Sequence, residues 1–112
     1  MTTLRGKVAV VTGAAALLGR PIVRAFVQAG ARVVAVDIHT ARGAALAADV
    51  GAGCRFVACD IASDDALDAL VAGTLRTEGR IDFLINNAVV YGDAGLDAAR
   101  ADWLGALNVN LV

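Results

Sequence analysis

Four side chains that enzymes often use for catalysis are almost absent from this sequence. The 112 residues include one lysine, one serine, one tyrosine and one histidine, which are Lys7, Ser63, Tyr91 and His39. A site that needs two of these groups side by side can therefore be built in few ways. Aromatic residues are also scarce, at 4%. Ala supplies much of the 58% hydrophobic content and Gly adds 12 further residues, which predicts closely packed layers of small side chains.

An excess of charge of either sign is also lacking. Ten basic and eleven acidic residues give a net charge of -1, and the basic positions are spread along the chain. We therefore expect neither a nucleic-acid partner nor binding to an anionic membrane. A chain of this length hides about 65% of its unfolded surface on folding, which is enough for one core.

Cysteine is limited to Cys54 and Cys59, both in a segment with strand character. The alternation of side chains along a strand places them on opposite faces, which excludes a disulfide between them. The single histidine leaves no four-ligand zinc set, so we expect no metal site. Two buried thiols in a reducing cytoplasm are the expected outcome.

The hydrophobic pattern predicts strands and helices in strict alternation. The predicted strands cover 8–11, 33–36, 55–59 and 81–85, and helices follow them to Gly30, over 40–49, over 64–78 and from about 97–102 onward. The first helix is expected to place Leu18, Ile22, Val23, Phe26 and Val27 on its apolar face. This order indicates an α/β fold over residues 1–112, with a doubly wound parallel sheet of the Rossmann type covered by helices on both faces.

Polar residues follow the predicted strands at their carboxyl ends, where ligands of such sheets bind. They are Thr12, Asp37, Asp60, Asn86 and Asn87. We therefore expect the functional site at this edge of the sheet.

The first turn, from Thr12 to Arg20, has the small residues that let a backbone approach a pyrophosphate at a helix N-terminus. It lacks the Gly-Lys-Ser/Thr of a nucleoside triphosphate loop. Tight packing of a helix on a strand also selects glycine, so the turn alone is a weak signal. Asp37 follows Gly13 by 24 residues, and its carboxylate can accept both ribose hydroxyls of NAD and repel the 2'-phosphate of NADP. The plain alternative is a solvated acid at a strand end, and Arg42 could soften the exclusion of NADP.

Taken together, these motifs resemble the amino-terminal part of the short-chain dehydrogenase/reductase family. That family has a Thr-Gly-x-x-x-Gly-x-Gly turn, an Asp after the third strand, an Asn-Asn-Ala-Gly after the fourth and a Val-Asn-Leu in a later helix. The matching positions are Thr12, Gly13 and Gly19; Asp60; Asn86, Asn87 and Ala88; and Val109, Asn110 and Leu111, with Asp82 and Trp103 where the family often has them.

The resemblance implies a role for each matching residue. Gly13, Leu17, Leu18 and Gly19 would form the cofactor turn, with Leu18 on the nicotinamide side. Asp37 would hold the adenosine ribose, Asp60 and Ile61 would border the adenine, and Asn87, Ala88 and Val89 would line the cofactor floor. Asn110 would belong to the catalytic tetrad, the alternative being an ordinary asparagine inside a helix. Asn86 would tie the fourth strand to its neighbours.

Two positions depart from the family pattern, and both replace glycine. Leu17 stands where the turn has its middle glycine, and Val89 stands where Asn-Asn-Ala-Gly ends. At a position that needs a positive φ or close approach to the cofactor, a larger side chain costs strain or contact distance. Either a weaker cofactor affinity or a different path of the loop would follow.

The family's catalytic Ser, Tyr and Lys have no match here. Tyr91 is followed four residues later by Gly95 instead of lysine, Lys7 precedes the first strand, and Ser63 begins a helix. We therefore expect the domain to be incomplete at its carboxyl end and inactive alone. The outer edge of the fourth strand would then be unpaired, and the complete protein is expected to be a homo-oligomer.

The sequence thus favours an NAD-dependent oxidoreductase that transfers hydride between nicotinamide and a small alcohol or carbonyl substrate. A non-catalytic dinucleotide-binding module or degenerate remnant is the alternative, favoured by Leu17 and Val89. A methyltransferase shares the glycine-rich turn and the acid after the second strand. The Asn-Asn-Ala and Val-Asn-Leu motifs argue against a methyltransferase.

Overall fold

The computed structural model describes residues 3–87. Four strands alternate with three helices along this part of the chain. They are β1 (Val8–Thr12), α1 (Gly19–Gln28), β2 (Arg32–Asp37), α2 (Thr40–Val50), β3 (Cys54–Ala58), α3 (Asp64–Glu78) and β4 (Phe83–Asn86). The predicted fourth helix lies outside the described residues.

The strands form one parallel sheet in the order β3-β2-β1-β4. The chain moves outward from β1 through β2 to β3 and then returns to the other side of β1. This reversal puts a topological switch point at the carboxyl end of β1, which is where open α/β sheets bind ligands. The predicted doubly wound Rossmann-type sheet is confirmed.

The core lies on both faces of the central strands because β1 and β2 are apolar at nearly every position. Alternate residues of these strands point to opposite faces, so that Val11 packs with α1 and α2 while Val10 packs with Leu70 of α3. All of β1 is buried. A helix-covered sheet of this kind explains why the strands show continuous apolar runs instead of alternation.

The cysteines lie on opposite faces of the sheet, as predicted, and both are free. Cys54 packs against the cluster under α1 and α2, whereas Cys59 belongs to the cluster under α3. Burial raises the pKa of both thiols, and the Asp60 carboxylate raises that of Cys59 further. Protonated thiols are weak nucleophiles, which argues against a catalytic role.

Local sequence signals fix the ends of α3. The Ser63 hydroxyl accepts a hydrogen bond from the N–H of Ala66 at 3.2 Å, and Asp64 and Asp65 lie in the first turn, where the helix dipole favours negative charge. Gly79 ends the helix with φ +83°, a left-handed conformation that glycine adopts at little cost. Both ends agree with the sequence prediction.

The prediction for Leu18 is wrong. Leu18 precedes α1, and its side chain is 67% exposed instead of packing with the apolar face of the helix. The pattern of apolar spacing extends back to Leu18, but the close packing of Gly19 on the turn starts the helix one residue later. Leu18 therefore lies at the surface, at the N-cap of α1.

A charged cluster joins three elements at the opposite edge of the sheet. Glu78 of α3 accepts hydrogen bonds from Arg32 of β2 at 3.2 Å and from Arg55 of β3 at 3.3 Å. The Glu78 side chain is only 8% exposed. The hydrogen bond from Arg32 is the largest of the effects that lower the pKa of Glu78, and burial partly opposes them.

Candidate functional site

The turn between β1 and α1 is shaped by two glycines. Gly13 has φ +61°, which a residue with a side chain rarely adopts. A Cβ on Gly19 would collide with the carbonyl oxygen of Gly13 and with the backbone of Ala14. Gly19 thus lets the start of α1 pack directly on the turn.

The first half of this turn uses its own N–H groups to hold its shape. The N–H of Ala14 donates to the carbonyl of Val36 on β2 at 3.1 Å, and the N–H of Ala16 donates to Gly13 at 3.1 Å. The N–H of Ala15 donates to the Asp37 carboxylate at 3.0 Å. These bonds tie the turn to the end of β2.

The second half of the turn leaves its N–H groups available. Within residues 3–87, no oxygen accepts a hydrogen bond from the N–H of Leu17, Leu18 or Gly19. They lie at the N-terminus of α1, which begins at Gly19 with Leu18 as its N-cap, and the helix dipole adds a partial positive charge there. Three neighbouring donors at a helix N-terminus after a glycine turn suit a phosphate or pyrophosphate group.

Asp37 lies beside these donors and is 8% exposed. One of its oxygens accepts from Ala15, and the other accepts from the N–H of His39 at 2.9 Å. A carboxylate has about four acceptor positions, so two remain for a ligand hydroxyl pair. The sequence predicted a ligand role for Asp37. It did not predict the hydrogen bond from Ala15 to Asp37, which links positions 22 residues apart.

Thr12 joins the turn to β4 on the other side. Its hydroxyl donates to the side-chain oxygen of Asn86 at 3.0 Å and accepts from the N–H of Asn87 at 3.2 Å. The side-chain amide of Asn87 also donates to the carbonyl of Gly13 at 3.3 Å. Asn86 therefore ties β4 to its neighbour, as predicted. The linking role of Thr12 was not predicted, because its partners Asn86 and Asn87 lie 74 and 75 positions further along the sequence.

Asp60 and Ile61 follow β3 at the same edge. The Asp60 carboxylate accepts from the N–H of Ala62 at 3.0 Å and remains exposed, while Ile61 is half-buried against the cluster under α3. The N–H of Cys59 donates to the carbonyl of Asp37 at 3.1 Å, which brings the end of β3 beside the end of β2. Asp60 thus lies next to the strand that carries Asp37.

Large apolar side chains are exposed around these groups. Leu17 is 89% exposed and Ile38 is 60% exposed. Leu17 does not have a positive φ, since every positive φ among the described residues belongs to glycine. Of the two alternatives left open by the sequence, strain from a positive φ is therefore not found at Leu17, and loss of contact distance through its side chain remains. Ala88, Val89 and Asn110 lie outside the described residues.

Asp82 acts away from this edge. Its carboxylate accepts from the N–H of Val8 at 2.8 Å and pairs with Arg80 at 2.6 Å, so that it fixes the start of β4 to the start of β1. The Arg80 guanidinium, followed by the Val8 N–H, lowers the pKa of Asp82. Asp82 is thus part of the sheet's support and not of the candidate site.

The described residues contain neither a metal-binding cluster nor a membrane-spanning helix. No group of three or more His, Cys, Asp or Glu side chains between residues 3 and 87 could hold a metal ion. None of the helices in that part of the chain is long and apolar enough to cross a membrane.

Comparison with known families decides what kind of protein has this arrangement. A sequence model described as short chain dehydrogenase matches residues 7–112. The chain belongs to the short chain dehydrogenase family. The resemblance inferred from the sequence motifs is thereby confirmed.

Other short chain dehydrogenases show how much of such a protein this chain covers. It is 42% identical over 87 residues to L-fucose dehydrogenase from Bos taurus, covering 78% of this chain and 32% of that enzyme. The crystal structure of a short chain dehydrogenase from Mycobacterium smegmatis has a TM-score of 0.85 at 33% identity, with 99% of this chain and 53% of that one covered.

A second solved structure, the 3-ketoacyl-(acyl-carrier-protein) reductase from Brucella melitensis complexed with NADH, has a TM-score of 0.76 at 28% identity. The match covers 96% of this chain and 48% of that chain. The chain therefore spans about a third to a half of the length of these three proteins.

Proposed function

We propose that this chain is the dinucleotide-binding part of an oxidoreductase that prefers NAD to NADP. The observation that carries the proposal is the set of N–H donors on Leu17, Leu18 and Gly19 beside the buried Asp37 carboxylate. A pyrophosphate needs such donors, and an unmodified adenosine ribose needs such an acceptor. The NADH bound to the Brucella melitensis reductase supports the same class of ligand.

The other residues complete the proposed cradle. Gly13 and Gly19 give the turn its close fit, and Leu18 faces the nicotinamide half of the ligand. Asp60 and Ile61 border the adenine, while Asn87, Ala88 and Val89 line the floor. The turn suits such a ligand because Gly19 has no side chain, so that the start of α1 lies directly against Gly13.

The dinucleotide, when bound, would supply the carbon that accepts hydride from an alcohol substrate or gives hydride to a carbonyl substrate. The described residues bind and orient it. Asn110 is the one residue of this sequence that we assign to the catalytic group. No tyrosine of the sequence is followed four residues later by lysine, so the 112-residue polypeptide by itself should show no NAD-dependent oxidation of alcohols.

Calorimetric titration with NAD and with NADP tests the cofactor assignment. We expect NAD to bind more tightly, because the Asp37 carboxylate accepts ribose hydroxyls and repels a 2'-phosphate. Asp37→Ala and Asp37→Asn should both weaken NAD binding about tenfold or more, consistent with the loss of hydrogen bonds to a charged group. Asp68→Ala, on the exposed side of α3, is the matched control and should change nothing.

Equal or tighter binding of NADP to the parent protein would contradict the proposal. So would an unchanged NAD affinity in the Asp37 variants. Thermal unfolding of each variant, measured alongside, separates a lost contact with the ligand from a lost fold, since Asp37 also holds the turn.

A further inference from the structure

The backbone of Ala15 is held by charged side chains in both of its peptide units, the one before its Cα and the one after it. Its N–H donates to Asp37 at 3.0 Å, and its carbonyl oxygen accepts from Nε of Arg20 at 3.2 Å. Hydrogen bonds to ionised groups are shorter and stronger than those between neutral groups. Ala15 is also 4% exposed, so water competes little for its peptide.

Arg20 is in an unusual place for a cation. It lies in the first turn of α1, which contains no acidic residue, where the helix dipole disfavours positive charge. Arg24, one turn later, makes an ordinary ion pair with Asp49 of α2. Arg20 thus contacts the turn that precedes its own helix, through Ala15, whereas Arg24 contacts another helix.

This contact lies between the two parts of the candidate site. Ala15 is followed within two to four residues by the N–H donors of Leu17, Leu18 and Gly19, and it fixes one oxygen of Asp37. The N–H lies in the peptide unit before the Ala15 Cα and the carbonyl in the unit after it, so the two hydrogen bonds together restrict φ and ψ of Ala15. A change in these dihedral angles would move the donors for the pyrophosphate relative to the acceptor for the ribose. A fixed Ala15 backbone keeps the N–H donors and the Asp37 carboxylate at a constant separation. Less conformational entropy is then lost when the ligand binds.

We propose that Arg20 is a positioning residue of the dinucleotide site, which fixes the backbone of Ala15 and with it the separation between the Asp37 carboxylate and the N–H donors that follow. The role rests on the proposed function, because it concerns binding of the same ligand. It differs from a direct attraction between the Arg20 charge and the pyrophosphate. The hydrogen bond at Nε, and not the positive charge, is the active feature.

Three substitutions separate the hydrogen bond from the charge. Arg20→Gln keeps an N–H donor at the position of Nε and removes the charge, because both side chains place a nitrogen after three carbons. Arg20→Lys keeps the charge and removes that donor, and Arg20→Met removes both. Arg24→Met is the matched control on the same helix.

Two measurements are made on the parent and on each variant. The first is the dissociation constant for NAD by calorimetry. We expect Arg20→Met and Arg20→Lys to weaken binding about threefold to tenfold, while Arg20→Gln and Arg24→Met stay within about twofold of the parent. The second is the rate of hydrogen exchange at the Ala15 amide without ligand, which should rise in Arg20→Met and Arg20→Lys alone.

The outcomes distinguish the two proposals. If the parent does not bind NAD, the proposed function fails and the role of Arg20 fails with it. If the parent binds NAD and Arg20→Met binds equally well, only the role of Arg20 is overturned. It is also overturned if Arg20→Lys behaves like the parent while Arg20→Gln is weakened, since the charge would then act directly.

Discussion

At the scale of single residues, the site depends on side chains that serve the turn and the ligand together. The Asp37 carboxylate accepts from the N–H of Ala15 and of His39, and about two of its acceptor positions are not used by these bonds. Thr12 similarly links β1 with Asn86 and Asn87 through one hydroxyl. Substitution of either residue would therefore alter the shape of the site as well as its chemistry.

Leu17 has the most exposed large apolar side chain in the described part of the chain. Its side chain is 89% exposed beside the free N–H donors and fills space that glycine would leave open. We expect Leu17→Gly and Leu17→Ala each to tighten NAD binding about threefold, a change that corresponds to less than 1 kcal/mol. Calorimetric titration measures it.

The alanine variant is the control for backbone freedom. Glycine also loosens the unfolded and unbound turn, whereas alanine removes bulk with little added flexibility. A gain in both variants identifies the side chain as the obstacle. Weaker binding in both would show that Leu17 contacts the ligand favourably.

At the scale of helices and strands, the sequence predicted most of the fold because the end signals are local. Ser63 and Gly79 bound α3 where expected, and the apolar runs of β1 and β2 mark the central strands. Leu18 was misplaced because apolar spacing does not show where a helix begins. The packing of Gly19 on Gly13 decides that, and this contact is not visible in a pattern of hydrophobicity.

Two glycines inside helices offer a matched test of packing. A Cβ on Gly43 of α2 would collide with the ring of Phe56 on β3, whereas a Cβ on Gly73 of α3 would meet only Arg76 Nη2 at 3.8 Å. We expect Gly43→Ala to lower the free energy of unfolding by about 1–3 kcal/mol through overpacking. Gly73→Ala should raise it by about 0.5–1 kcal/mol, because alanine favours helix.

Urea denaturation of the two variants and the parent measures both effects. The opposite signs are the distinguishing result, since helix propensity alone predicts a gain at both positions. A gain in Gly43→Ala would mean that α2 does not lie against Phe56 as described.

At the scale of the whole molecule, the two edges of the sheet have different roles. At the carboxyl edge, the N–H donors of Leu17, Leu18 and Gly19 have no acceptor among residues 3–87, and large apolar side chains are exposed beside them. The opposite edge is fixed by the contacts of Glu78 and Asp82. Sequence reasoning located the first edge because its polar residues follow strands. It could not find the second, because the partners of Glu78 are 23 and 46 residues away.

Glu78 makes stability depend on pH. Arg32, with the largest effect, and Arg55 hold the pKa of Glu78 below its ordinary value, so the folded state favours the charged form. This stabilisation is complete above the unfolded pKa of about 4.3 and is lost as the pH falls through the lower folded pKa. At pH 7, Glu78→Gln should therefore lower the free energy of unfolding by about 1 kcal/mol, since both arginines are partly exposed.

Urea denaturation between pH 7 and pH 3 checks this prediction. The difference in free energy of unfolding between the parent and Glu78→Gln should narrow below about pH 4.3, because Glu78 takes up a proton in the unfolded state at that pH. Asp68→Asn, an exposed substitution on the same helix, serves as the control. A difference that stays constant over the whole pH range would rule out the ionic cluster as its cause.

The central claim is that the N–H groups of Leu17, Leu18 and Gly19 bind the pyrophosphate of NAD. Nuclear magnetic resonance of the ¹⁵N-labelled protein during titration with NAD and with NADP observes these amides directly. We expect large, saturable shifts of the three signals with NAD, and saturation at higher concentration with NADP. Unmoved signals for these amides at saturating NAD, or saturation by NADP at lower concentration, would contradict it.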